Sequence, residues 1–437
     1  MEREIWRGSI MIVTQDEGSD YDIAPTLRLF LQPLEPLPPP PVEVNGDLSP
    51  EYVDPIAGHP KLGRKGETLY VRPIEHLEEG IDLSLKDTDE GLFEASRSPP
   101  DVPLPEGMTD LPGSYASRHR RIEIDGEKVA KYKDVRGFRL HEERGLTFWR
   151  FNIEVELSES QQRIAYRINR GPALGFWVPA RGTPMNVAFH SSNGFGLDVE
   201  TDDLSGPDPM WRDMLNTHQA RPFHAMIGGG GQIFNDAVVK ECTLFRRWLG
   251  MRREEEKYGA PLLPELQDEL ESFYLRRYCG WFSRGIFALA ASHIPMVNMW
   301  DDREILDGYG SYPRHLNGSP VFCGLGAVAM KYYMLFQHSS VADETETSEP
   351  SWITGVEPGP YVGALSRSLI VELGAGVSLL AVDCRTERTE LDVVAEATWE
   401  KIMDRCYKDV KTGTTKHLLV VLPVPIAYPR LDWLEKT

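Results

Sequence analysis

Cysteine is scarce in this sequence and forms no pattern. The five residues Cys242, Cys279, Cys323, Cys384 and Cys406 are odd in number, widely spaced and without a CxxC pair. That argues against a zinc ribbon or a disulfide framework, and reads as reduced thiols in a cytoplasmic protein. The apolar core of a signal peptide is missing too, because charge returns at Asp16. The longest mostly apolar run, "GIFALAASHIPMVNMW", is broken by His293 and Pro295 and is too short to span a bilayer. Positive charge is in deficit: 47 Lys and Arg stand against 67 Asp and Glu, a formal net charge of −20. No nucleic-acid surface and no anionic-membrane patch is therefore expected, while a local basic pocket for a phosphate stays open. No internal repeat is found.

The chain has 437 residues, too many for one ordinary domain. Three segments are expected. Residues 1–110 form a Pro-rich leader with short strands such as "SIMIVTQ" and "TLRLFLQP". Its run "PLEPLPPPPVEV" reads as a stiff polyproline II connector, the alternative being an SH3 or WW ligand. Residues 111–182 read as a small β-sandwich: "RIEIDGEKVAKY" as a strand, an Asp125-Gly126 turn and a strand, then the alternating "LTFWRFNIEVEL". Residues 183–437 interleave strands and helices, so the expected class is α/β (α+β). "PDPMWRDMLNTHQA" reads as a helix capped by Asp208, and "DAVVKECTLFRRWLGMRREEEKYG" as one amphipathic helix. "RSLIVELGAGVSLLAVDCR" reads as a hairpin, followed by the helix "LDVVAEATWEKIMDRCYKDV" and the strand "HLLVVLPVPIAYP".

Ligands in such domains bind at the carboxyl ends of strands. The residues that follow each expected strand are "SSNGFG", "GGGGQIFND", "DDREILDGYGSYP", "DCRTERT" and "VPIAYPR". The glycine run is not a Walker loop, because Gln232 and Ile233 stand where Lys and Ser/Thr belong, and it does not open a helix as a dinucleotide fingerprint does. Asp301 and Asp302 can ligate a hard divalent metal, or form a solvated turn or an ion pair with Arg303. Arg385 and Arg388 can pair with phosphate, or join an ion-pair network with Asp383 and Glu387. His190, His218, His224 and His293 are scattered and read as satisfied structural histidines.

Together, and in this order, "HSSNGF", "HAMIGGGGQIFND", "MWDDREILDGYGSYP", "DCRTERT" and "PVPIAYPRL" resemble the PhoD-like metallophosphatases in their large intracellular fungal form. The resemblance implies two facing mixed β-sheets flanked by helices, in a four-layer sandwich. It also implies divalent metal ions at the strand ends, which polarise a phosphoester and activate a water. Matched position by position, the sequence departs from that pattern. Ser192 stands where the family commonly has a liganding Cys, Gly231 where it has a metal-holding Asp, and Phe234 where it has Tyr. Asp301 and Asp302 match and Glu304 is a tolerable match, but Arg303 replaces His. A guanidinium cannot act as a general acid near neutral pH, and it repels a divalent metal by about 4 kcal/mol per unit charge at ~4 Å. The family continues to Asp-His-Trp and Gly-Asp-Val-His motifs, whereas this chain ends at Thr437. The resulting expectation is a phosphatase-fold protein with impaired or lost catalysis and weak or no metal. Asn193, Arg303, Arg385 and Arg388 would hold a phosphate-containing small molecule or a protein partner. Arg303 would pair with Asp301 and Asp302 where a metal once sat. An active enzyme with a rearranged site using Asp302 and Asp236 is the alternative, and a fragment of an active enzyme is a third reading.

Overall fold

A computed structural model describes residues 3–37, 54–63, 68–72, 92–95, 121–199 and 208–425. Most of the "PLEPLPPPPVEV" run and the end of the "PVPIAYPRL" motif lie outside these residues. The chain is mixed α/β, with several antiparallel sheets and helices, as expected. It divides into two compact units. The first comprises Met1–Ala188, Asp198–Met226 and Arg276–Met296; the second comprises Phe189–Leu197, Ile227–Leu275 and Val297–Thr437. Among the described residues no helix is long and apolar enough to cross a membrane.

The first unit is built on alternation. Leu146–Glu156 pairs antiparallel with Ile5–Gln15 along its whole length and with Phe138–Glu143 on its other side. A second sheet runs Leu174–Val178, Gln162–Ile168, Thr26–Leu31, Tyr132–Arg136. Inward residues at every second position, among them Trp149, Phe151, Ile153, Leu27, Leu29, Ile164 and Phe176, form one apolar cluster. The helices Pro209–Ala220 and Gly285–His293 bury Trp211, Leu215, Ile286 and Phe287 in another, with Val71 and Phe93 of the small leader sheet.

Three sequence expectations are corrected. "RIEIDGEKVAKY" is not a hairpin: Ile122 makes an isolated bridge to Leu34, and Gly126 packs its bare Cα on the Leu31 backbone. Tyr132–Arg136 pairs with Thr26–Leu31 instead. Asp208 makes no cap bond to its own helix; its Oδ2 accepts from Ile286 N at 2.6 Å, at the start of Gly285–His293. The single amphipathic helix is three short ones, Val238–Glu241, Thr243–Leu249 and Glu254–Gly259. Its first break is at Cys242, whose backbone is extended. There the Glu269 carboxylate accepts the otherwise orphaned N–H groups of Thr243, Leu244 and Phe245.

In the second unit Trp352–Pro358, Leu365–Glu372 and Val377–Ala381 are antiparallel, and His417–Val421 joins Val377–Ala381 in parallel. The connecting helix Glu396–Lys411 packs Ile402 and Cys406 on Ile353, Leu380 and Val382. Val187–His190, Ala225–Gly228 and Met296–Asn298 form a further three-stranded sheet, whose strands are each divided between the two units. The loops that leave its three strands carry Ser192, Asn193, Gly231, Phe234, Asp301, Asp302 and Arg303, and the loop after Val377–Ala381 carries Arg385 and Arg388.

Candidate functional site

Beyond Ala225–Gly228 the chain turns through four glycines because side chains would not fit. A Cβ on Gly228 would collide with Asn298 Oδ1. Gly230 and Gly231 adopt φ of +111° and +67°. Main-chain bonds tie this turn to the next loop: Gly229 N donates to His190 O at 2.8 Å, Ser192 N to Gly230 O at 3.0 Å and Asn193 N to Gly231 O at 2.7 Å. Asn193 Nδ2 donates to Gln232 O at 3.3 Å.

The third loop is organised by Glu304. Asp302–Glu304 is one 3-10 turn, with Asp301 and Glu304 forming a capping box. The Glu304 carboxylate is fully buried and accepts from Gly231 N at 3.0 Å, Gln232 N at 2.6 Å and Asp301 N at 2.8 Å. Burial pushes its pKa up to about 8, against the pull of those three N–H groups. Glu304 therefore fastens the glycine loop to the Asp301 loop. Gln232 extends the same network: its Oε1 accepts from Gly230 N, and its Nε2 donates to Met299 O and Gln337 Oε1.

The ion pairs differ from those expected. Arg303 does not pair with Asp301 or Asp302. The 3-10 turn carries its side chain toward Asp236, whose Oδ2 it meets at 2.7 Å, and toward Asp307 at 3.1 Å. The guanidinium lies 4.4 Å from the centroid of the Phe234 ring. Asp301 Oδ1 instead accepts from Arg385 Nε at 2.5 Å, and Arg385 Nη1 donates to Tyr309 O. Burial raises the Asp301 pKa, opposed by Arg385 and assisted by Asp302. Asp302 Oδ2 accepts from Gly308 N at 2.7 Å.

Nor does the network with Asp383 and Glu387 form. Asp383 is taken by Trp300 Nε1, Arg367 N and Thr386, and Glu387 by Ser366, Thr398 and Ala395. Arg388 is left without an ion pair among the described residues. Its stem lies against Gly310, its Nε is buried with no hydrogen-bond partner, and Arg385, Asp301 and Asp302 act on its charge.

At the substituted positions, Ser192 has a left-handed backbone, φ +58°. A Cβ on Gly231 would stand 3.2 Å from Ser192 Cα and 3.3 Å from the Phe234 ring. Phe234 is buried over Gly194. Among the described residues no three His, Cys, Asp or Glu side chains gather to hold a metal. Burial holds His190, His218 and His224 at pKa values of about 4, 3 and 4.

Gln232, Gln337, Asp307 and Tyr309 enter the site without having been expected there. Only the Asp301-x-x-Glu304 spacing carried a sequence signal, that of a capping box.

Residues 175–437 match the family described as PhoD related phosphatase. A Saccharomyces cerevisiae (strain ATCC 204508 / S288c) protein, Uncharacterized protein YGR266W, is 33% identical over 311 residues, which is 66% of this chain and 44% of that protein. The chain thus spans less than half the length of that relative. A structure of PhoD superposes with a TM-score of 0.36 at 15% identity, over 62% of this chain and 49% of that one. The purple acid phosphatase PPD1 from yellow lupin (Lupinus luteus) seeds superposes with a TM-score of 0.34 at 9% identity, over 66% and 43%.

Proposed function

The chain belongs to the PhoD related phosphatases, and from that premise we propose that it has lost metal-dependent hydrolysis and acts through binding. The observation that carries this reading is the fate of the carboxylates. Asp301 is held by Arg385, Asp236 by Arg303, and Glu304 by three backbone N–H groups. Internal cations and amides already engage carboxylate oxygens that a pair of divalent ions would need. Gly231 and Phe234 offer no donor atom, and Arg303 adds positive charge beside them. The residues do not fit a two-metal centre, so no hydrolytic step is derived through one.

The group left to meet a ligand is Arg388, a guanidinium with an unpartnered Nε and no ion pair among the described residues. Its fork suits the phosphate group of a small molecule or of a protein partner. The test is elemental analysis of purified protein with assays on nitrophenyl phosphate mono- and diesters in added Mn²⁺, Zn²⁺ or Ca²⁺. Metal-free protein with no turnover is expected, and stoichiometric metal with turnover overturns the reading. Titration with inorganic phosphate should show binding that is weakened by Arg388→Gln.

A further inference from the structure

We infer that the free edge of the strand His417–Val421, in the second unit, is the contact through which two copies of this chain pair. The strand is last in its sheet and, among the described residues, bonds on one side only, in parallel with Val377–Ala381. Its sequence, His-Leu-Leu-Val-Val, is apolar at every position after the first. Such a run suits a strand covered on both faces. Here the cover stops one strand short. Leu379 and Leu380 are 0% and 3% exposed, while their ladder partners Leu419 and Val420, on opposite faces, are 43% and 51% exposed. Nor does the edge carry the devices that guard an open strand: residues 417–421 include no Lys, no Glu and no Pro, and the register has no break.

The helix Glu396–Lys411 extends this face. Thr398, Ile402 and Cys406 are its buried stripe. On one flank Lys401 Nζ donates to Thr354 O at 2.9 Å and Arg405 Nη1 to Pro350 O at 3.1 Å, which ties that flank to Trp352–Pro358, the strand at the other end of the sheet. By helical spacing Trp399, Tyr407 and Val410 lie on the opposite flank, which looks toward His417–Val421, and all three are exposed. Val420 stands on the same sheet face as this helix, because it pairs with Leu380, against which the helix packs Ile402 and Cys406.

Two arguments choose a second copy as the occupant. Antiparallel self-pairing centred on Leu419 sets Leu418 against Val420 and His417 against Val421, so no like charges meet across the new ladder. The helix charges are also self-complementary. Apart from Lys401, paired with Glu346, and the Arg405–Asp409 pair, they run Glu396, Glu400 and Asp404, then Lys408 and Lys411. A two-fold axis through Leu419 reverses one helix relative to the other. The acidic end of each then lies at the same end of the joined sheet as the basic end of the other.

The test is analytical ultracentrifugation of the full chain across the micromolar range, where a concentration-dependent dimer is expected. Leu419→Lys, at the centre of the edge, should shift it to monomer at the same concentrations. Because that substitution can impair folding, a second pair of variants reads the geometry directly. Leu419→Cys should crosslink to its own copy under mild oxidation. Val356→Cys, exposed on the strand at the other end of the sheet, should crosslink no more than the parent chain with its own cysteines. A dimer that survives Leu419→Lys in folded protein, or that crosslinks no better at 419 than at 356, overturns the inference. So does a monomer at every concentration. In that monomer, slow hydrogen exchange at 418–421 would show the edge covered by other residues of the chain, and fast exchange would show an edge left to a different partner.

Discussion

Arg385 and Asp301, 84 residues apart in sequence, form an ion pair with Nε 2.5 Å from Oδ1. It joins the loop after Val377–Ala381 to the loop after Met296–Asn298. Arg385 is 8% and Asp301 23% exposed at the side chain, so water screens the pair only in part. Arg385→Gln is expected to destabilise the protein by about 2 kcal/mol, since it leaves a half-buried carboxylate unpaired. Urea unfolding would measure this. In a double-mutant cycle with Asp301→Asn, the paired variant should lose less than the sum of the single losses.

Placing at Gly231 the acidic residue that the resemblance implies is not expected to bring a metal. Gly231 has φ +67°, and a Cβ there crowds Ser192 Cα. Gly231→Asp should lower stability by roughly 1–2 kcal/mol, and calorimetric titration with Mn²⁺ should still show no binding, because Arg385 and Arg303 keep their carboxylates.

Acid should destabilise the protein well above the usual carboxylate range. His190, His218, His224 and His338 are held by burial at pKa values of about 4, 3, 4 and 3. In the unfolded chain they protonate near about 6.5. Below that pH the unfolded state binds more protons, so stability falls as pH drops from about 6.5 toward 4. Each histidine contributes roughly 1.4 kcal/mol per pH unit at full slope. Glu304 acts in the opposite sense: its folded pKa of about 8 lies above the unfolded value, so it favours folding more as pH falls through that window. Unfolding free energies at pH 7.5, 6 and 5 should decline, and His218→Gln should flatten the decline.

Arg212 and Asp54 form an ion pair with both side chains at most 2% exposed. Arg212 also donates to Arg72 O. Arg212→Ala should cost about 3–5 kcal/mol in urea unfolding by taking the cation away from the buried Asp54 carboxylate. Arg212→Met with Asp54→Leu should recover much of that loss.

Elements with a two-residue or amphipathic period were legible. Leu146–Glu156 follows its alternation, the hairpin Leu365–Glu372 with Val377–Ala381 was marked by two apolar runs about a glycine turn, and Glu396–Lys411 turns Ile402 and Cys406 inward. The 19-residue helix Pro320–His338 was not, because it is buried on nearly every side and has no polar face to mark its period. The motif order located the three site loops. It could not give Arg303 its true partner, since Asp236 lies 67 residues away and only the turn at Asp302–Glu304 aims the side chain there. A carboxylate fully buried on main-chain amides, as Glu304 is, reads in sequence as one more acid in a cluster.

The loops around the glycine turn are laced together chiefly through the main chain. Ser192 N, Asn193 N, Gly231 N and Gln232 N supply the bonds, and the side chains at 192 and 231 bear on them only through the room and backbone angle that a Cβ at 231 demands. Foldedness and chemistry are thereby under separate control: donor atoms can be exchanged one at a time without the loops coming apart. A lineage can shed its reaction and keep the surface that surrounded it, which leaves that surface open to selection for another task.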